Sequence, residues 1–453
     1  MTECNQSAFP FEAHFSRQVV ARFDGAQTST EGGVLLLRQA DHKIELLKRV
    51  ASCFIDARDP QRVAHGLSEM LAQRIYGLAL GYEDLNDHEE LRRDPLLAVV
   101  AGKREMAEPL AGKSTLNRLE LTPAGSPIQE RYHKITYSAE ALDTLLVEIF
   151  LEAHGEPPEE IVLDLDATDT PLHGQQEARF FHGYYNHYCY LPLYVFSGDH
   201  LLCARLRPSN QDASAGSLAE VQRIVAQIRA RWKQTRVILR GDAGFCREEL
   251  MAWCENHAVD YVLGLARNPR LRRKIARPLR EAKREQQRTG NAARVFREFF
   301  YRTRSSWSRS RRVVAKAEHL AKGENPRFVV TSLDAQDWPA QPLYEQLYCA
   351  RGEMENCIKE QLSLFSDRLS TATMRANQLR LYFSSLAYVL VHALRRWALG
   401  GTEWAQAQVE TIRLKLLKIA AQVRVTARRI WVRYAHSYPW KNLFLAAWQA
   451  LRC

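Results

Sequence analysis

Up to about residue 155, the apolar positions recur at helical spacing. Val63, Leu67, Met70, Leu71, Ile75 and Leu78 share one face of a predicted helix, with Pro60 near its start. Turn signals at Gly81, Asp94-Pro95, Pro123 to Pro127 and Gly155-Glu-Pro-Pro158 divide this region. After the last of them the period changes. Ile161-Val-Leu-Asp-Leu-Asp166 reads as a short strand that turns Asp164 and Asp166 to one face and Leu163 and Leu165 to the other. Aromatic and β-branched runs follow at Tyr188 to Phe196 and His200 to Leu206, with Gly198-Asp199 between them as a hairpin signal. Leu218 to Trp232 and Arg247 to His257 are helical in pattern, and Arg236 to Arg240 and Tyr261 to Leu265 are strands. The order β-β-β-α-β-α-β predicts a mixed α/β core.

From about residue 269 a different segment interrupts that core, with a helical stretch and then alternating runs such as Val295 to Tyr301 and Arg311 to Val314. The core resumes at Phe328 to Thr331, followed by a long helix over Tyr344 to Phe365 and an apolar one over Leu379 to Leu399. The expected organisation has five parts: a helical, DNA-binding N-terminal region (1–155), the first part of the core (156–268), a β-rich insertion (269–326), the second part of the core (327–400) and a basic helical tail (401–453).

Charge sharpens this picture. The 453 residues hold 63 Lys plus Arg against 52 Asp plus Glu, a formal charge of +11. Between Arg267 and Arg312 there are seventeen basic residues and three acids, and between Thr411 and Cys453 nine basic residues and none. These two segments exceed the whole-chain excess, so the remainder is net acidic. Positive charge concentrated in this way is the footprint of a polyanion partner, most often nucleic acid.

Other classes are set aside on composition. The 46% hydrophobic content supports a sizeable core. The nine cysteines are odd in number, scattered and never in a CxxC, which points to reduced thiols in a cytosol. The start, Met-Thr-Glu-Cys-Asn-Gln, resembles no secretory or import signal, and the uncharged apolar stretch Leu381 to Leu394 is short of the roughly 18 apolar residues that a membrane span needs. Gly112-Lys-Ser-Thr115 imitates the end of a phosphate-binding loop, but the glycine required five residues earlier is Ala107, so no nucleotide cofactor is expected. His182, His187 and Cys189, or Cys246, Cys254 and His257, lack the paired spacing of a structural zinc site.

Three acids stand out by position: Asp166 on the first core strand, Asp242 where a later strand ends, and Glu355 inside the helix after the insertion. Carboxylates converging from such elements supply the hard oxygen ligands that Mg²⁺ or Mn²⁺ needs for phosphodiester chemistry. Tyr348, Arg351, Glu355 and Lys359, spaced three, four and four, share a helical face on which two cations flank an acid and could hold a DNA phosphate.

Asp166-Ala-Thr-Asp169, Arg240-Gly-Asp-Ala-Gly-Phe245 and Tyr348-Cys-Ala-Arg-Gly-Glu-Met-Glu355 resemble the DDE transposases of bacterial insertion sequences. Tyr-x2-Arg-x3-Glu is the signature of the branch related to the Tn-five and insertion-sequence-four enzymes. Gly174-Gln-Gln-Glu177 and Tyr184-Tyr-Asn-His-Tyr-Cys-Tyr-Leu-Pro-Leu193 look like the group numbered thirteen-eighty, and Gly81-Tyr-Glu-Asp-Leu-Asn-Asp-His88 extends the resemblance toward the N-terminus.

The resemblance implies a ribonuclease H-like core, Asp166, Asp242 and Glu355 as catalytic metal ligands for Mg²⁺ (or Mn²⁺), and Tyr348 and Arg351 near the DNA strand; Lys359, on the same helical face, is expected to contact DNA as well. In the broader branch a lysine stands seven residues after the glutamate; here that position is Leu362, and Lys359 is the nearest lysine. The implied function is a cytoplasmic, nucleoid-associated bacterial transposase. It would act as a homodimer on DNA, bind terminal inverted repeats, cut them with two divalent ions and join the 3′-hydroxyl end to target DNA. The alternatives are a non-catalytic repressor or architectural protein derived from such an enzyme, and a ribonuclease H-like nuclease that cuts without joining.

Overall fold

The structure, a computed structural model, describes residues 8–452. Its centre is a nine-stranded mixed sheet. Eight of its strands are β1 (Glu160–Ala167), β2 (Leu193–Ser197), β3 (His200–Arg205), β4 (Arg236–Gly241), β5 (Asp260–Leu265), β6 (Ala293–Tyr301), β7 (Arg311–Leu320) and β8 (Arg327–Thr331). They lie in the order β3-β2-β1-β4-β5-β8-β7-β6, and the short strand Gly323–Glu324 pairs with β7. Only β1-β4 and β4-β5 are parallel pairs; every other pair is antiparallel. Parallel neighbours need crossovers, and these are helices α2 (Ser217–Arg231) between β3 and β4 and α3 (Glu248–Asn256) between β4 and β5.

Each face of the sheet is closed by the alternation along its strands. Leu163 and Leu165 of β1 are fully buried with Val237 and Leu239 of β4, under Val221, Ile224, Val225 and Ile228 of α2. Those four recur at one helical face, which is why α2 lies flat on the sheet. On the other face Ile238, Val262, Val314 and Val329 pack against Leu343, Tyr344 and Leu347. That helical run, Ala340 to Ser363, is not uniform: π-type turns at Leu343–Tyr348 and a 3-10 turn at Cys349–Arg351 precede α5 (Gly352–Ser363).

The N-terminal region carries helices, among them Val34–Ile44, Leu67–Leu80 and α1 (Ala139–Glu152), together with strands that the periodicity did not indicate. Phe9–His14 and Arg17–Ala21 form an exposed hairpin, and Phe54–Asp56 pairs with Ile135–Tyr137. Pro60 opens a separate 3-10 turn, so the helix expected from Val63 begins at Leu67 and ends on Gly81, whose φ of +96° suits glycine. The turn at 155–158 divides α1 from β1, but the hydrophobic cores do not divide there. One cluster joins the helices of residues 34–149 to α6 (Met374–Leu394) and to Val409, Leu416 and Val423. Asp143 of α1 is buried and accepts hydrogen bonds from Arg205 of β3 and, at 2.7 Å, from the Tyr382 hydroxyl of α6.

Three further expectations are corrected. The run Tyr188 to Phe196 is two strands, because Pro192 lacks the N–H that a continuing ladder needs; His187–Tyr190 belongs to a small sheet with Phe180–His182 and Thr170–Pro171. The helical stretch expected in the basic segment 269–326 is α4 (Ala276–Thr289), but the strands read as an insertion widen the central sheet through β7-β8 instead of standing apart from it. The C-terminal tail is not helical throughout: β9 (Ala421–Val425) and β10 (Ile430–Tyr434) form a hairpin before the helix Lys441–Arg452. Their alternation of Ala421, Val423, Val432 and Tyr434 onto the core has the period of a strand. Among the described residues, no helix is long and apolar enough to cross a membrane.

Candidate active site

Asp166 lies near the end of β1, opposite Tyr194 of β2. Two residues earlier on the same face, Asp164 is committed elsewhere. Its carboxylate accepts two hydrogen bonds from Arg240 of β4, at 2.5 and 2.7 Å, and the Arg240 guanidinium also donates to the Leu347 carbonyl at 2.5 Å. Both side chains are buried, so this pair ties the helical run after residue 340 to the strands that carry the site. The two aspartates therefore have distinct surroundings although their sequence positions are alike.

Asp242 follows β4 directly and caps the single turn Ala243–Phe245, its Oδ1 accepting from the Gly244 amide at 2.8 Å. Glu355, on α5, has a half-exposed carboxylate. Between Asp166 and Glu355 stands Arg351, which donates to Asp166 Oδ2 at 3.2 Å and to Glu355 Oε1 at 3.1 Å. The Asp166 carboxyl is pushed up to about 6, first by burial and further by the charges of Asp242 and Glu355, against the opposing pull of Arg351. The three acids, from segments far apart in the chain, thus share one electrostatic field. Among the described residues, no three His, Cys, Asp or Glu side chains stand close enough to hold a metal ion.

Tyr348 and Lys359 are placed differently from each other. Tyr348 is half-buried against the sheet, its ring 5.5 Å from that of Tyr344, and burial raises its hydroxyl pKa. Lys359 is exposed on α5, one turn beyond Glu355. The 3-10 turn lies between Tyr348 and α5, so an ideal-helix projection does not describe how the four residues relate.

Some neighbours of the acids were not anticipated. A β-carbon at Gly264 of β5 would stand 2.7 Å from the Tyr348 hydroxyl and 2.8 Å from the Ala243 nitrogen, so only glycine lets the helix come this close to the Asp242 turn. Gly264→Ala is expected to cost about 1–3 kcal/mol in denaturant unfolding, because backbone atoms must move; an unchanged midpoint would show that the contact yields freely. Nothing in the one-dimensional pattern marks this glycine. The small sheet adds His187, whose Nε2 lies 2.7 Å from Asp169 Oδ2, and Tyr185, whose hydroxyl pKa is pushed up to about 12 by burial and then by the charges of Asp169 and Asp166. Their position could have been guessed only from the Asp166-Ala-Thr-Asp169 run.

A family model described as transposase DDE domain group 1 matches residues 11–453. No curated relative matches the chain. Among solved structures, the piggyBac transposase synaptic complex with hairpin DNA, determined by cryo-EM, is similar at 9% identity and a TM-score of 0.41, covering 91% of this chain and 82% of that one.

Proposed function

Because the chain belongs to the family described as transposase DDE domain group 1, we propose that it moves the ends of a bacterial insertion sequence by phosphodiester cleavage and strand transfer. The observation that carries this reading is the shared field of Asp166, Asp242 and Glu355 around Arg351. The strand order β3-β2-β1-β4-β5, with β1, β4 and β5 parallel, supports a ribonuclease H-like core with the two aspartates at its strand ends and Glu355 on helix α5.

The donor chemistry suits Mg²⁺ or Mn²⁺, since it consists of carboxylate oxygens and no sulfur or imidazole, but among the described residues the side chains do not stand close enough to hold an ion as they lie, so the three acids would have to close around it. Asp166, Asp242 and Glu355 would hold the ions, which when bound activate the attacking oxygen and stabilise the leaving one in an in-line displacement. The chain's own residues supply the rest. Arg351 balances the negative charge of Asp166 and Glu355 and offers a guanidinium to the phosphate being cut. The buried Asp164–Arg240 pair holds β1 and β4 in register beneath the acids. Gly264 lets Tyr348 close over the Asp242 turn.

Lys359 would bind a neighbouring phosphate. Lys359→Ala is expected to weaken duplex binding about threefold to tenfold and to lower the salt slope by about one, without changing stability. Titration of a fluorescent duplex at several salt concentrations measures both, and an unchanged slope would remove Lys359 from the DNA contacts.

The substrates are terminal inverted repeats and target DNA, the active form is a homodimer that brings two ends together, and the place of action is the cytoplasm at the nucleoid. The test is incubation of the protein, with Mg²⁺ or Mn²⁺, with linear DNA carrying the sequences that flank its own gene. Nicks at the borders of an inverted repeat, followed by joined products, are expected. Cutting without joining would favour the nuclease alternative, and specific binding without cutting the repressor or architectural one.

A further inference from the structure

The hairpin of β9 and β10 has two unlike faces. Its register pairs Ala421 with Tyr434, Gln422 with Arg433, Val423 with Val432 and Arg424 with Trp431. Directly opposed residues share a face, so Ala421, Val423, Val432 and Tyr434 turn together onto the large core, where Ala421 and Val423 are buried. The opposite face presents Gln422, Arg424, Trp431 and Arg433, all exposed. Trp431 keeps 46% of its surface open, with Arg429 over its ring at 5.6 Å. No acid occurs between Thr411 and Cys453, and among the described residues no ion pair engages Arg424, Arg428, Arg429 or Arg433.

The base of the hairpin is anchored and its far end is not. Strand Thr28–Ser29 pairs with β9 only at Gln422 and Ala421, and the Val423 amide donates to the Gln27 carbonyl at 2.8 Å. Beyond that point the strands run to an exposed turn closed by the Thr426 amide on the Arg429 carbonyl at 2.9 Å, with Arg428 and Arg429 at the tip. The free part of each strand beyond that point, about three residues, reaches ~10 Å, and the strands lie ~4.8 Å apart. The major groove of duplex DNA is about 12 Å wide and ~8.5 Å deep, and it admits a two-stranded ribbon.

We propose that the β9-β10 ribbon enters the DNA major groove and reads base edges there, making it the sequence-recognising element of this chain. The side chains fit the task. Arginine forks pair with the O6 and N7 of guanine, glutamine with the N6 and N7 of adenine, and an indole edge packs on a thymine methyl. The arginines at the tip meet the phosphates that flank the groove. The inference rests on the transposase reading and deepens it: recognition lies in a C-terminal ribbon and not in a helix of the N-terminal region.

The test measures binding of the full chain to two fluorescent duplexes, one with the gene's flanking sequences and one scrambled, across a range of salt. Wild type is compared with Arg424→Ala/Arg433→Ala and with Arg424→Lys. The double variant is expected to lose about 10- to 100-fold on the flanking duplex and far less on the scrambled one. Arg424→Lys keeps the charge and loses the fork, so preference for the flanking duplex should fall at an unchanged salt slope. An equal loss on both duplexes would overturn the inference in favour of phosphate contact alone, as would undiminished preference in both variants; in these outcomes the transposase reading stands. Wild type that prefers neither duplex would overturn the ribbon's reading of sequence. Wild type that binds no DNA at all would overturn both readings. Circular dichroism and melting of each variant establish that it is folded, as expected for exposed positions.

Discussion

Asp242→Asn is expected to abolish metal-dependent nicking of flanking DNA, by ~10³-fold or more, while melting temperature and duplex affinity stay close to wild type. The expectation rests on how Asp242 is used twice. Its Oδ1 caps the turn after β4 by accepting from the Gly244 amide, and an asparagine carbonyl oxygen can do the same at the same distance. What asparagine cannot replace is the negative charge that Asp242 adds to the field around Asp166, and with it an anionic ligand for a hard cation. Asp242→Ala would confuse the result, since it also removes the cap, a change that costs about 1 kcal/mol. Gel-resolved nicking with both Mg²⁺ and Mn²⁺, alongside a melting curve, separates the two roles. Nicking by the asparagine variant at near wild-type rate would remove Asp242 from the chemistry, and with it the proposed triad.

The second large effect is on stability and comes from the neighbouring strand position. Asp164→Ala is expected to destabilise the fold by about 3–5 kcal/mol, because it leaves the Arg240 guanidinium buried with the Leu347 carbonyl and no counter-charge. Asp166→Asn, two residues along the same face, should leave stability unchanged or raise it slightly at neutral pH. The Asp166 carboxyl has a pKa raised to about 6, so its native state favours the proton. Its contribution to stability is present at low pH and is lost as pH rises from the ordinary carboxylate range through about 6, and the neutral amide avoids that loss. Denaturant titrations of the two variants at neutral pH measure both. Equal midpoints would show that the Asp164–Arg240 pair does not hold the sheet as described.

These contrasts mark how far the sequence could be read. The positions of Asp166 on a strand and Asp242 at a strand end were legible because these are local patterns, and Gly198-Asp199 announced the β2-β3 turn, with Gly198 at a φ of +55°. The Asp-x-Thr pattern favoured Asp166 over Asp164, but the ion pair that commits Asp164 and the guanidinium that meets Asp166 were not legible, because Arg240 and Arg351 arrive from other elements. The Arg351–Glu355 half of the bridge keeps the four-residue spacing of a helix and was legible, whereas the Arg351–Asp166 half joins residues far apart in the chain and was not. The β9-β10 ribbon turns alternate residues, Ala421, Val423, Val432 and Tyr434, onto the core, a two-residue period that a helical tail does not predict. The N-terminal hairpin, exposed along both strands, buries no face and so leaves no periodic signal.

The short pairing of Thr28–Ser29 with β9 has a consequence for how the molecule is made. A ribosome adding about 5–20 residues each second releases residue 28 roughly 20 to 80 s before residue 421 exists to meet it. Through that interval the helices of residues 34–149 also lack α6 and Val423, with which they share a core. The growing chain therefore has apolar surface for a chaperone to shield but no finished ribbon. An unfinished chain holds no complete set of DNA-reading side chains, so polypeptides cut short upstream of residue 421 would not compete with whole ones for the element's ends.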